Sequence, residues 1–334
     1  MEEKKKKFST AKILYIVLFV LLIAYAMFIL GMLLWGLLTS LKSPYDYDTL
    51  HNVIGFPNLD KGQYKNSRDA FFKLANFKTV IKNFRMRVII NYYRGSKQVK
   101  HVTQPWFNSP LIVDEADYEY VYFLDMLFYT LLYVGGNALI TTIVPAVTAY
   151  LCAKYDYKLS SVIFVAYTLM MCMPIVGSLP TELTFLKNSG LYDTIWGNYI
   201  QSMTGSGMYF FVFFAFFKGM PETYREAASI DGAGHFTIMA RIYFPLAIKM
   251  LSTVFLIQFV ARWNDYQTPL LYLPTHPTLA YVVYNMAHDT NNNAFYNNPT
   301  KIASNMLLAL PILVLFIGFK NKLMGDISLG GIKE

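Results

Sequence analysis

Ile13-Leu-Tyr-Ile-Val-Leu-Phe-Val-Leu-Leu-Ile-Ala-Tyr-Ala-Met-Phe-Ile-Leu-Gly-Met-Leu-Leu-Trp-Gly-Leu-Leu-Thr39 runs for 27 residues without a charge. The hydrocarbon core of a bilayer takes about 20 residues of helix, so the stretch predicts a transmembrane helix. It is too long for the apolar centre of a signal peptide. Lys4 to Lys7 precede it and place the N-terminus on the cytoplasmic side; Lys42 and Pro44 stop it. The rest of the chain has the same character. Of its 334 residues 55% are hydrophobic and only 15% are charged, against roughly a quarter charged in soluble proteins. Too little polar surface is left to cover that apolar mass in water, which excludes a soluble fold, a disordered chain and a nucleic-acid-binding tail. The net charge of +8 therefore reads as membrane topology.

Five further apolar runs follow: Phe123 to Ala153 with Pro145 as a kink, Ser160 to Leu183 broken near Pro174 and Pro180, Tyr199 to Phe217, Leu246 to Leu271, and Ile302 to Phe319. The expected fold is an all-α polytopic membrane protein of six helices. Its parts are a cytoplasmic N-terminus (1–12), transmembrane helix 1 (13–39), a long first extracytoplasmic loop domain (40–122), a transmembrane domain holding helices 2–6 (123–324) and a cytoplasmic tail (325–334). Loops longer than about 60 residues cross regardless of charge, so the basic residues of 40–122 do not oppose an outside location. The spans are nearly free of acids and bases, unlike those of proton-coupled transporters, which asks for an external energy source. Cys152 and Cys172 have no CxxC spacing. The five histidines, His51, His101, His235, His276 and His288, have no metal-ligand spacing, so no metal site is expected.

Between the fourth and fifth runs lies a cytoplasmic loop, 219–245. Its segment Glu226-Ala-Ala-Ser-Ile-Asp-Gly-Ala-Gly-His-Phe-Thr-Ile-Met-Ala-Arg-Ile-Tyr-Phe-Pro245 is partly apolar and interrupted at Gly232 and Gly234. Two short helices joined by a tight bend are expected. Such a loop is too apolar to be left in water and suits the groove of a partner, with Glu222, Glu226 and Asp231 available to partner bases. The bland alternative is an amphipathic linker lying at the membrane surface.

The spacing Glu226-Ala227-Ala228, three residues, Gly232, nine residues, Ile242-x-Phe244-Pro245 closely resembles the EAA signature of permease subunits of bacterial ABC importers, with Phe244 in place of the usual leucine. The resemblance implies that Glu226, Ala227, Ala228, Asp231, Gly232, Ile242 and Pro245 form the coupling helix seated in a cleft of an ATP-binding subunit. Ser40-Leu41-Lys42, Ala149-Tyr150, Met173-Pro174, Gly190-Leu-Tyr-Asp-Thr194, Gly219-x-Pro221, Trp263-Asn-Asp265 and the Gly-Gly-Ile-Lys333 tail look like the maltose-type, six-span carbohydrate branch. What that implies is a non-enzymatic subunit of the bacterial cytoplasmic membrane, importing a carbohydrate, an oligosaccharide by expectation. Its expected partners are a sister permease, two ATP-binding subunits, a solute-binding protein and membrane lipid, with no nucleic acid. The chain has no GxxxxGK[ST] phosphate loop and is expected to carry no cofactor, ATP and Mg being bound by the partner subunits.

Asn137, Gln258, Asn264 and Tyr266 are the candidate translocation pathway, because polar groups inside spans face a cavity or neighbouring helices; interhelical hydrogen bonding is the other reading. Tyr133, Trp263 and Tyr266 could stack on sugar faces or anchor at the interface. The outer segment Pro274 to Pro299, with Asn291 to Asn293, and the loop 40–122, with Tyr92, Tyr93, Trp106 and Phe107, could reach a binding protein; the outer segment could equally be a solvated connector, and the loop could pack on the sister subunit. A membrane-embedded enzyme of polysaccharide or lipid metabolism is the alternative class. It would draw on the run Asp114, Glu115, Asp117, Glu119, which otherwise reads as a solvated face.

Overall fold

The computed structural model describes residues 10–57, 74–94, 97–99, 115–172, 177–203, 207–288 and 297–323. Lys4 to Lys7, Trp106, Phe107, Asp114, Met173, Pro174, Asn291 to Asn293 and the tail 325–334 lie outside the described residues. In chain order the elements are α1 (Thr10–Ser40), α2 (Ala75–Asn83), β1 (Arg85–Arg94), β2 (Lys97–Val99), β3 (Glu115–Tyr122), α3 (Phe123–Lys154), α4 (Lys158–Cys172), α5 (Ser178–Asn188), α6 (Ile195–Ser202) and α7 (Gly207–Lys218). Then come α8 (Thr223–Ile230), α9 (His235–Ile238), α10 (Phe244–Leu246), α11 (Ile248–Trp263), α12 (Gln267–Tyr272), α13 (Leu279–His288) and α14 (Asn298–Leu323), with π-turns at Tyr45–Thr49 and Met239–Tyr243. The chain divides into two compact units, one of Met1–Asn83 with Met286–Ala309 and one of Phe84–Asn285 with Leu310–Glu334.

In the first unit, α1 is apolar on every side and its side chains from Leu14 to Leu34 are exposed, as in a helix that meets lipid. Its C-terminal end is tied down by polar groups. Lys42 is fully buried and its ammonium donates to the carbonyls of Asn52 (2.5 Å) and Val53 (3.2 Å). Burial lowers the pKa of Lys42, and the charge of Asp46 partly opposes that. The Asn76 amide donates to the carbonyls of Ser40 and Lys42, both at 2.8 Å. These bonds pair backbone groups that the helix end leaves open.

The second unit is built on α3. Ala146, Ala149, Tyr150 and Ala153 form one stripe of it and meet Phe210, Phe213 and Phe217 of α7. Both sets recur at helical spacing, and the alanines let the backbones approach. Tyr150 stands edge-on to Phe217, with centroids 5.5 Å apart. Thr130, Thr141, Thr142 and Thr148 return their hydroxyls to carbonyls of their own helix, which hides polar groups that an apolar setting penalises.

Two helices among the described residues are long and apolar enough to cross a bilayer, Leu14–Ser40 and Phe123–Lys154, or up to four if each bent pair counts as one span. The expectation of an all-α chain is corrected by an antiparallel sheet of order β2-β1-β3, with β1 and β3 registered from Arg85↔Tyr122 to Tyr93↔Glu115 across an irregularity at Ile89/Asn91. The run Tyr199 to Phe217 is two helices, α6 and α7. The run Leu246 to Leu271 stops at Asn264–Tyr266 between α11 and α12, where Asp265 Oδ1 accepts the Thr268 N–H (3.0 Å). Ahead of it, His235–Leu246 meets Ile248–Trp263 at 74°. Within the outer segment Pro274 to Pro299 the structure forms α13, with Leu279 to Val283 and Met286 buried, so the idea of a solvated connector fails for that half.

Candidate functional site

The loop 219–245 is a folded element. Helix α8 closes in a Schellman turn: the Ala233 N–H reaches the Ala228 carbonyl (2.9 Å), the Gly232 N–H reaches that of Ser229 (3.1 Å), and Gly232 takes φ +76°. Only glycine enters that region without steric cost, which is why the turn falls here. The chain then continues into α9, the π-turn and α10, which contains Pro245. Ala228, Ile238, Tyr243 and Ala247 are buried and join the core of α3 and α7.

Polar contacts fix the loop further. Lys154, at the end of α3, donates to the Met220 carbonyl (2.7 Å) and to Glu222 Oε1 (2.9 Å), and its ammonium lies 5.2 Å from the Tyr243 ring centroid. Arg225 Nε donates to Glu222 Oε2 (2.9 Å). Burial pushes the Glu222 carboxyl up, but the hydrogen bonds and charges of Lys154 and Arg225 outweigh it and hold the carboxyl below its usual range. Burial first, then the Glu222 charge, pushes the Tyr243 phenol up to about 12. The Tyr155 hydroxyl meets His235 Nδ1 at 3.0 Å. Glu222 is thus engaged within its own chain, with its side chain still 46% exposed.

The opposite face is bare. Ile230 is 86% exposed and Phe236 75%, and Glu226, Ala227, Asp231, Gly232 and Pro245 are exposed as well. Ile242 is half-buried. Among the described residues Glu226 and Asp231 have no ion pair. The anchored element thus presents two large apolar side chains and two exposed carboxylates on its surface. Of the seven residues named from the signature, Ala228 alone is buried, facing α3 rather than outward. Ile230 and Phe236 stand outside the seven signature positions, although both belong to the apolar part of the quoted segment.

The four pathway candidates stand in different settings. Asn137 is fully buried; its amide donates to the Tyr133 carbonyl and to Asn198 Oδ1, both at 2.6 Å, and its oxygen accepts from Ser202 (2.5 Å). Here it ties α3 to α6. Gln258 is half-buried on α11. Asn264 is exposed and its amide donates to the Val260 carbonyl (3.0 Å). Tyr266 stacks on Tyr284 with centroids 4.2 Å apart. Tyr133 and Trp263 are buried, and the Tyr133 hydroxyl donates to Asp265 Oδ2 (2.7 Å). Sequence reasoning missed Glu182, whose Oε2 accepts from Gln201 (2.8 Å) and Tyr272 (2.9 Å). A carboxylate at the end of an apolar run was its only signal.

Residues 146–319 match the family described as binding-protein-dependent transport system inner membrane component. The chain is 29% identical over 207 residues to the melibiose/raffinose/stachyose import permease protein MelC of Bacillus subtilis, across 61% of this chain and 74% of that protein. It is 27% identical over 218 residues to the probable starch degradation products transport system permease protein AmyC of Thermoanaerobacterium thermosulfurigenes, with the same two coverages. Among solved structures, a chain of a bacterial ABC transporter involved in the import of the acidic polysaccharide alginate matches with a TM-score of 0.64 at 17% identity, over 95% of this chain and 99% of that one. At that identity the likeness is one of fold.

Proposed function

Because the chain belongs to the family of binding-protein-dependent transport system inner membrane components, we propose that it is a permease subunit of an ABC importer for a carbohydrate, with an oligosaccharide as substrate. It is a transport subunit and not an enzyme, so the reading as an enzyme of polysaccharide or lipid metabolism is set aside. The observation that carries the coupling role is the loop 219–245: buried Ala228, Ile238 and Tyr243 fix it to α3 and α7, while Ile230 and Phe236 stand out from it. In this reading Glu226, Ala227, Asp231 and Gly232 dock into an ATP-binding subunit with Ile230 and Phe236, and Ala228, Ile242 and Pro245 set the angle of that surface. Asn264, Gln258 and Tyr266 remain the candidates for the pathway, and Asn137 supports it from behind.

The full assembly adds a sister permease, two ATP-binding subunits that hold ATP and Mg, and a solute-binding protein. ATP favours one arrangement of the assembly only through its differential affinity for the two states. The six spans are α1, α3, α4 with α5, α6 with α7, α11 with α12, and α14, with both termini and the loop 219–245 in the cytoplasm and 40–122 outside. Reconstitution with the partner subunits tests the reading: ATP-dependent uptake is expected for galactosyl- or gluco-oligosaccharides, and ATP hydrolysis by the purified chain alone would refute it. Cysteine labelling should reach Ser229→Cys from inside only and Asn292→Cys from outside.

A further inference from the structure

Lys154 is the last residue of α3, and its side chain has no exposed surface. A buried ammonium is tolerated only where hydrogen bonds replace its water, and both of its bonds run to the loop 219–245. The Met220 carbonyl and Glu222 Oε1 lie in the entry to α8. The Tyr243 ring, over which the ammonium sits, lies in the exit, and the Tyr243 hydroxyl reaches back to the Pro221 carbonyl (3.4 Å). One cation therefore holds both ends of the loop to the end of α3. Further along, α3 carries Asn137, bonded to α6, and Tyr133, bonded to Asp265 between α11 and α12. If the loop moved by more than a hydrogen-bond length while α3 stayed, an unpaired charge would be left in a dry site, the costly outcome.

We infer that Lys154 is the positioning residue that makes α3 follow the loop, so that displacement of 219–245 by a partner becomes displacement of the helix joined to α6 and to the break before α12. This rests on the reading of 219–245 as the surface on which the ATP-binding subunits act. A lysine serving only to hold the fold would lower uptake and ATP hydrolysis together; a lysine that transmits motion changes their ratio.

The test is the number of substrate molecules moved per ATP hydrolysed by the reconstituted complex, for wild type, Lys154→Met, Lys154→Arg and Glu222→Gln. Methionine keeps length and loses charge and donors; its ratio is expected to fall at least roughly tenfold. Arginine carries enough donors to reach both oxygens and should restore the ratio to within about threefold of wild type. Glu222→Gln keeps the Met220 bond and should fall between them, and it gives the same readout should Lys154→Met fail to assemble. Equal losses of uptake and hydrolysis in Lys154→Met, a ratio within twofold of wild type in Lys154→Met or in Glu222→Gln, or arginine as poor as methionine, would each overturn the inference. A wild-type complex that imports no carbohydrate would instead refute the functional reading.

Discussion

Gly232 offers a graded test of the loop, because its cost can be worked from backbone geometry alone. Its φ is +76° and an added Cβ would meet nothing within 4 Å, so a side chain there introduces no clash, only the strain of the left-handed region. For an alanine that strain is about 1–2 kcal/mol. Asparagine tolerates the region better, and β-branched valine worse. Proline fixes φ near −65° and removes the N–H that reaches the Ser229 carbonyl, so it cannot make the turn. If the side chain lets the unbound loop relax out of this turn while the partner docks only on the turn itself, the strain appears in affinity, where about 1.4 kcal/mol is tenfold. Gly232→Ala should then weaken association with the ATP-binding subunit roughly 5- to 30-fold, Gly232→Asn less, Gly232→Val more, and Gly232→Pro should abolish uptake. The assay is titration of that subunit onto the variants in nanodiscs, with uptake measured in parallel and membrane insertion checked for each. Alanine binding as tightly as glycine, or asparagine binding worse than alanine, would refute the reasoning.

Other outcomes follow from single side chains. Glu226→Lys reverses an exposed carboxylate and should cut association and uptake roughly tenfold or more, whereas Ser229→Ala, which loses only a bond from its hydroxyl to the Arg225 carbonyl, should change either by less than about twofold. Asn137→Ala removes the partner of buried Asn198 and Ser202 and should cost about 1 kcal/mol of stability in thermal melts, with the KM for transported sugar unchanged; a raised KM at full stability would restore Asn137 to the pathway. The Glu222 carboxyl is held below its usual range, so its stabilising contribution is complete above the ordinary glutamate pKa of about 4.3 and is lost as pH falls through the lower folded value. The difference in melting temperature between wild type and Glu222→Gln should be constant from roughly pH 5.5 to 8 and vanish on strong acidification; a difference that grew with acid would contradict the assignment.

Much of this was legible in the sequence where the signal is local. The charge-free run 13–39 announces α1, and Gly232 announces the turn because few residues can replace it. The breaks in the later runs were hidden because Asn264-Asp265 is a short polar interruption between strongly apolar flanks, and hydropathy averages across it. Helix α13 was submerged for the opposite reason: Leu279-Ala-Tyr-Val-Val-Tyr284 is apolar, but it adjoins an asparagine-rich stretch. The strands 85–94 and 115–122 mix charges with aromatics, without the clean alternation that marks a half-buried strand. In the sequence Lys154 is only a lysine after an apolar run; its acceptors lie 66 and 68 positions away in the chain, a pairing that no local pattern encodes. Asn137 was visible as a polar group in a span, but whether it faced a cavity or a helix depended on Asn198 and Ser202, which are equally remote.

The 74° corner between His235–Leu246 and Ile248–Trp263 makes the two segments a bell-crank. The longer arm, with about 1.5 Å of rise per residue, is roughly 24 Å in length. If the corner stays rigid, turning the short arm by roughly 10° about it swings the far end of the long arm by about 4 Å. That end carries Trp263 and leads into Asn264 to Tyr266, so a small rocking of the short arm would become a side-chain-sized displacement at the far end of the long one.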